Sequence, residues 1–194
     1  MKRIIIFASG SGTNAENIIK YFQEREIAEV THVFSNNLRA KVLKRAHDLK
    51  VKALHFDKES FYTTNEVLNV LIDAKPDLIV LAGFLWIFPK KIIDVFPNKV
   101  INIHPALLPK YGGKGMYGRY VHEAVVKNKE KESGITIHYV NEHYDEGGVI
   151  FQAKTPVNTN DSPDDVAHAI HQLEYKHFPV VIEELLYPVE KSAK

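Results

Sequence analysis

Along the first hundred residues, short apolar runs rich in β-branched side chains alternate with longer amphipathic segments, a rhythm that points to parallel β-α-β units. Ile4–Ala8 reads as a strand buried on both faces. A helix from Asn14 to Arg25, with Ile18, Ile19 and Phe22 on one side, and a strand over Val30–Phe34 complete the first unit. The second cycle gives a helix over Arg39–Leu49 and a short strand around Ala53–Phe56. In the third, a helix over Thr64–Ala74 ends at Pro76-Asp77 and leads into the apolar strand Leu78–Ala82. Pro89 opens a short helix to Phe96, and Lys99–Ile103 forms a strand that runs into His104-Pro105.

Beyond residue 110 the texture changes. Tyr111–Gly118 is glycine-rich and irregular, Tyr120–Lys127 is helical, and Gly134–Val140 alternates as a half-buried strand with Val149–Lys154 as its antiparallel partner. Ser162-Pro163-Asp164-Asp165 is a helix start, with Ser162 at the N-cap and acids in the first turn, and the closing helix runs to about Leu186. The expected fold class is α/β, a mainly parallel twisted sheet flanked by helices with an antiparallel C-terminal portion, in a single domain over 1–194.

Composition narrows the chemistry. The chain has 194 residues and no cysteine, which removes thiol nucleophiles, thiolate metal sites and disulfides. A formal net charge of +1 and the lack of any Lys/Arg run argue against nucleic-acid and membrane partners. The N-terminal apolar stretch is broken at Ser9-Gly10, too early for a signal peptide, and no run approaches the roughly 20 residues of a membrane span. The expected location is cytoplasmic. The oligomeric state, monomer or homodimer, is not readable.

Three constellations can carry chemistry. Ser9-Gly10-Ser11-Gly12-Thr13-Asn14-Ala15 joins the first strand to its helix, where two glycines permit a tight turn and the opening amides offer an anion site. It also fits a relaxed dinucleotide fingerprint. Ser35-Asn36-Asn37 supplies no carboxylate for a ribose diol, which weakens NAD, while Arg39 keeps NADP open. A plain structural turn is the bland alternative. In Asn102-Ile103-His104-Pro105, strand alternation sends Asn102 and His104 to one face, an amide donor beside an imidazole, suited to stabilising an oxyanion and moving a proton. Both can equally serve only to cap the strand end. Asn141–Gly148 is an acidic loop whose Asp145 or Glu146, not separable by spacing, would raise the pKa of His104 if brought against it; a solvated hairpin loop is the alternative. Phe84, Trp86 and Phe88 either pack as core or wall a ligand site, and His168-x-x-His171 has helical spacing for a metal without any supporting motif.

Taken together, Ser-Gly-x-Gly-Thr-Asn, Leu81-Ala82-Gly83-Phe84, Asn102-Ile103-His104-Pro105-Ala106-Leu107-Leu108-Pro109 and Asp145-x-Gly before Val149-Ile150-Phe151-Gln152 resemble the folate-dependent phosphoribosylglycinamide formyltransferases over nearly the whole chain. The resemblance implies a Rossmann-like formyltransferase fold with a phosphate-binding half (1–100) and a folate and catalytic half (101–194). It implies Asn102, His104 and Asp145 as the catalytic set. Gly12, Thr13 and Asn14 would hold the phosphate of glycinamide ribonucleotide, and Glu174 its ribose hydroxyls. The formyl folate, 10-formyltetrahydrofolate, would lie against Leu85, Trp86, Ile87, Phe88, Asn102, Val140, Asn141 and Tyr144, with Lys58 as the basic contact and no metal. A cis Leu108–Pro109 bond is implied as well. The length leaves no room for the extra domains of methionyl-tRNA formyltransferases or formyltetrahydrofolate deformylases. Trp86 stands where many relatives carry Arg, and Lys110–Gly118 is a few residues longer than the usual Lys-Tyr-Pro-Gly loop. The enzymatic rival is hydrolysis of the formyl folate; a non-catalytic nucleotide or NADP sensor is the rival from another class.

Overall fold

The computed structural model describes residues 1–188. Seven strands, β1 (Lys2–Phe7), β2 (Ala28–Ser35), β3 (Lys52–His55), β4 (Leu78–Leu81), β5 (Val100–His104), β6 (Glu132–Tyr139) and β7 (Val149–Pro156), form one sheet in the order β3-β2-β1-β4-β5-β6-β7. The first five are parallel; β6 and β7 join antiparallel. Six α-helices accompany them: α1 (Thr13–Arg25), α2 (Lys41–Asp48), α3 (Glu66–Ala74), α4 (Lys90–Val95), α5 (Arg119–Lys127) and α6 (Pro163–Leu186). No helix among the described residues is long and apolar enough to cross a membrane.

Period-two alternation divides the core in two. Ile4 and Ile6 of β1 pack with residues of α1, α2, α5 and α6 on one face of the sheet, while Ile5 and Phe7 pack with α3 and α4 on the other. The second face is aromatic. Phe7, fully buried, stacks on Phe34 at 4.8 Å between centroids and meets Phe88 edge-on at 5.2 Å. Phe61 enters this cluster from a five-residue π-type turn, Glu59–Thr63, that the hydrophobic periodicity does not signal; the helix expected from Thr64 therefore starts at Glu66.

Two local features set the C-terminal third. Ser162 caps α6, its Oγ accepting the Asp165 amide while the Asp165 carboxylate accepts the Ser162 amide, a reciprocal pair that satisfies two otherwise orphan donors. Helix α6 then crosses α1, where Asn17 Nδ2 donates to the Tyr175 carbonyl at 3.0 Å. Removing the ring at the centre of the aromatic layer, Phe7→Ala, is expected to destabilise the fold by about 3–5 kcal/mol in urea unfolding; a shift near zero would show that the layer does not carry the packing assigned to it.

Candidate active site

In an open α/β sheet, ligands sit beyond the carboxyl ends of strands where the order reverses. Here β1 lies between β2 and β4, so the loops after β1 and β4 diverge and leave a crevice. A cavity of about 560 Å³ occupies it. Its walls are Gly10–Asn14, Ala82–Leu85, Asn102–Pro105, Gly113–Gly118, and the side chains of His122, Tyr144, Asp145, His171 and Glu174.

Gly12 is the N-cap of α1, with φ +75° in the left-handed region, and a Cβ there would come within 2.3 Å of Val42 Cγ2 and 2.7 Å of Val42 Cα. Glycine alone meets both conditions. The loop is pinned on both sides. The Ser9 amide donates to the Gly83 carbonyl at 3.0 Å, the Leu85 amide to Ser9 Oγ at 3.0 Å, and Arg45 Nε to the Ser11 carbonyl at 2.9 Å. The first-turn amides of α1 have no acceptor inside the helix and begin at the cavity wall, an arrangement suited to an anion. Asn14 Nδ2 donates to Glu174 Oε2 at 2.8 Å, and its buried Oδ1 has no partner among the described residues.

At the other end, antiparallel pairing sets Asn102 opposite His138 and His104 opposite Thr136. Thr136 Oγ1 donates to the Ala106 carbonyl at 2.7 Å and accepts from the Leu108 amide at 3.0 Å, fixing the segment that follows His104. The Leu108–Pro109 bond is cis, as the resemblance implied. His104 Nε2 lies 2.7 Å from the Tyr111 carbonyl, which only accepts, so the neutral ring carries its hydrogen on Nε2 and presents the Nδ1 lone pair 3.5 Å from Asp145 Oδ2. The same logic applies to His138. Its Nδ1 donates to the Tyr139 carbonyl at 2.8 Å, leaving Nε2 to accept from Asn102 Nδ2 at 3.1 Å. Asp145, in the left-handed region at φ +58°, accepts the Gly113 amide at 3.0 Å. Glu146 is exposed, so geometry selects Asp145.

The protonation states differ from the sequence expectation. Burial pushes the His104 imidazole below its ordinary value, and the opposing pull of Asp145 and of the Tyr111 carbonyl does not restore it. The cause is desolvation: the carboxylate does sit beside the ring, but a side chain 4% exposed loses more by leaving water than one neighbour returns. Burial also pushes Asp145 up, yet the adjoining His138 and His104, each of which favours the carboxylate once it is protonated, and the Gly113 amide, which donates to it, hold its carboxyl below the usual range. At neutral pH the resting pair is an imidazole facing a carboxylate.

Glu174, 5% exposed, accepts from His171 Nδ1 at 2.9 Å as well as from Asn14. The hydrogen bond to Glu174 raises the His171 pKa against burial. His168 is exposed, so the helical pair suggested for a metal is not a joint site; one member serves Glu174. Arg39, the residue that kept NADP open, is exposed and off the cavity wall.

The two expected folate segments divide. Leu85, Asn102 and Tyr144 line the cavity. Trp86, Ile87, Phe88, Val140 and Asn141 do not: Phe88 is 3% exposed within the aromatic core, the Ile87 carbonyl accepts Tyr62 Oη at 2.9 Å, and the Val140 amide donates to the Val100 carbonyl at 2.9 Å. Asn141 Oδ1 accepts the His143 amide at 3.0 Å. Lys58 is also off the wall, its Nζ 5.6 Å from the centroid of the Trp86 ring. Aromatic packing draws Phe88 and part of Trp86 into the core, while Leu85 and Ile87 stay exposed. His138 and His122 were not among the residues singled out from sequence. A histidine at the parity of Thr136, on the side opposite Ile135 and Ile137, was the available signal for His138. A Gly12→Ala variant is expected to lose about 1–3 kcal/mol in urea unfolding from overpacking against Val42; an unchanged midpoint would contradict the close approach.

A family model described as Formyl transferase matches residues 2–182. The phosphoribosylglycinamide formyltransferase of Haemophilus influenzae is 36% identical over 188 residues, covering 94% of this chain and 86% of the relative. The chloroplastic one of Arabidopsis thaliana is 33% identical over 187 residues, 93% of this chain. The chain spans 64% of the length of that relative and 61% of the chloroplastic one of Vigna unguiculata. Among solved structures, glycinamide ribonucleotide transformylase 1 from Geobacillus kaustophilus superposes with a TM-score of 0.87 at 32% identity, over 96% of this chain and 99% of that one. With the glycine loop, the Asn102–His104 strand end and Asp145 converging on one cavity, the chain belongs to the formyl transferase family and, within it, to the phosphoribosylglycinamide formyltransferases.

Proposed function

We propose that this protein transfers the formyl group of 10-formyltetrahydrofolate to the primary amine of glycinamide ribonucleotide. One observation carries the reading. A single cavity has the N-terminus of α1, with its free first-turn amides, on one wall and, on another, the Asn102 amide, held by His138 at 3.1 Å, and the His104 imidazole, 3.5 Å from the Asp145 carboxylate. That matches a substrate with a phosphate at one end and a nucleophilic amine at the other.

The phosphate lies on the amides of Gly12, Thr13 and Asn14, and Glu174 accepts from the ribose hydroxyls. The formyl folate enters past Leu85 and Tyr144. The amine nitrogen attacks the formyl carbon, and the carbonyl electrons move onto oxygen, where Asn102 Nδ2 donates to the developing oxyanion. The new ammonium gives its proton to His104 Nδ1, the lone pair that the Tyr111 carbonyl leaves free. The imidazolium formed there lies beside the Asp145 carboxylate, which stabilises it, and supplies a second charge close to the oxyanion. When the bond from carbon to N10 breaks, His104 returns the proton to N10, and tetrahydrofolate and the formylated amide depart. Burial therefore suits a ring that must first accept a proton, since it begins neutral and becomes charged only as the intermediate forms.

Tetrahydrofolate release, followed spectrophotometrically with and without glycinamide ribonucleotide, tests the reading. Release is expected only with the ribonucleotide, and rapid release from formyl folate alone would select hydrolysis instead. Asn102→Ala is expected to lower kcat by on the order of 100-fold to 1000-fold with KM for the ribonucleotide less affected; unchanged turnover would remove Asn102 from its role.

A further inference from the structure

Helix α5 buries three side chains, Val121, His122 and Val125. The valines join the apolar core beneath the helix. His122 does something else. It is 3% exposed, it belongs to the cavity wall, and its buried Nδ1 has no hydrogen-bond partner among the described residues. A buried polar atom left unpaired opposes folding, and a histidine spends that stability only where something is gained by it.

The groups around the ring place it. His171 and Glu174 of α6 and His104 of β5 line the same cavity. Burial, with His171 and His104 acting in the same sense and Glu174 opposing, holds the imidazole below its ordinary value. The ring is thus neutral at physiological pH, a hydrogen-bonding group rather than a charge.

The inference rests on the formyl-transfer reading of the site. On that reading the ribonucleotide extends from the α1 N-terminus, past Glu174 at its ribose, to His104 at its amine. Between ribose and amine it carries one polar group, the glycinamide amide. We propose that His122 Nδ1 hydrogen-bonds this amide, which makes His122 a specificity-determining residue that selects an amide-linked amine over a phosphorylated sugar without one. It shares the cavity wall with the groups assigned to the two ends of that span, and its free nitrogen is one of two buried, unpartnered side-chain atoms on the described wall, the other being Asn14 Oδ1 beside the phosphate amides.

The test uses His122→Leu, which keeps apolar bulk, and His122→Asn, which keeps a polar atom, with unfolding midpoints measured for both. In His122→Leu, KM for glycinamide ribonucleotide is expected to rise about 10-fold to 100-fold, as for a lost buried hydrogen bond. KM for formyl folate and the affinity for ribose 5-phosphate, which has no amide, are expected to stay at wild-type values, and His122→Asn to recover part of the loss. A purely structural role would weaken ribose 5-phosphate and the ribonucleotide alike, and that result overturns the proposal. So does an unchanged ribonucleotide KM in a folded variant. If His122→Leu does not fold, the same pair of ligands decides with His122→Asn, which must then discriminate less between them than wild type does. Absence of formyl transfer in the wild-type protein would instead refute the reading on which the inference stands.

Discussion

His104 is held between a carbonyl that can only accept and a carboxylate that is already ionised, in a wall that water scarcely reaches. Those three conditions set everything else at the site. The Tyr111 carbonyl fixes the tautomer, the Asp145 carboxylate waits for the charge that the ring will acquire, and burial keeps that charge from appearing early. The arrangement is held from a distance. Tyr111, itself in the left-handed region at φ +57°, has its hydroxyl bonded to Glu130 at 2.9 Å and receives Asn128 Nδ2 at 2.9 Å, which ties the carbonyl on His104 to the segment just beyond α5. Asp145 is tied through the Gly113 amide to the glycine-rich segment that lines the cavity.

The sheet explains why these groups meet. With β1 flanked by β2 and β4, the glycine loop and the 82–85 segment are left facing each other across a crevice. The antiparallel addition of β6 then brings a strand back along β5, so that His138 stands opposite Asn102 and orients its amide. Helix α6 completes the cavity by carrying Glu174 to Asn14, 160 positions away in the chain.

Much of this was legible in the sequence, for identifiable reasons. Unbroken apolar runs mark Ile4–Ala8 and Leu78–Ala82, cap residues mark the α6 start, and the strands and the helix fall there within a residue or two. Alternation was enough to put Asn102 and His104 on one face. The π-type turn at Glu59–Thr63 carries no periodic signal, because its single anchor, Phe61, is recognised only by the aromatic cluster it joins. Spacing could not separate Asp145 from Glu146, which differ in the structure by the backbone turn at Asp145 and its hydrogen bond to Gly113. The charge state of His104 was legible in one half only. A carboxylate can be inferred from a neighbouring loop, but desolvation depends on packing from several elements at once, and that effect prevails. For the same reason Lys58 and Trp86, paired with each other beside the aromatic core, could not be told from cavity residues by position along the chain.

The central claim is that burial, not the nearby carboxylate, decides the resting state of His104. A histidine whose pKa is lowered stays neutral until the pH falls below that depressed value, and removing a carboxylate that favours the charged form lowers it further. Titration of the His104 ring by NMR in the free protein tests this directly. The account predicts a midpoint below the ordinary histidine value of about 6.5, and a still lower one in Asp145→Asn. A midpoint above that value in the wild-type protein would mean that the Asp145 charge outweighs desolvation and that His104 rests as an imidazolium.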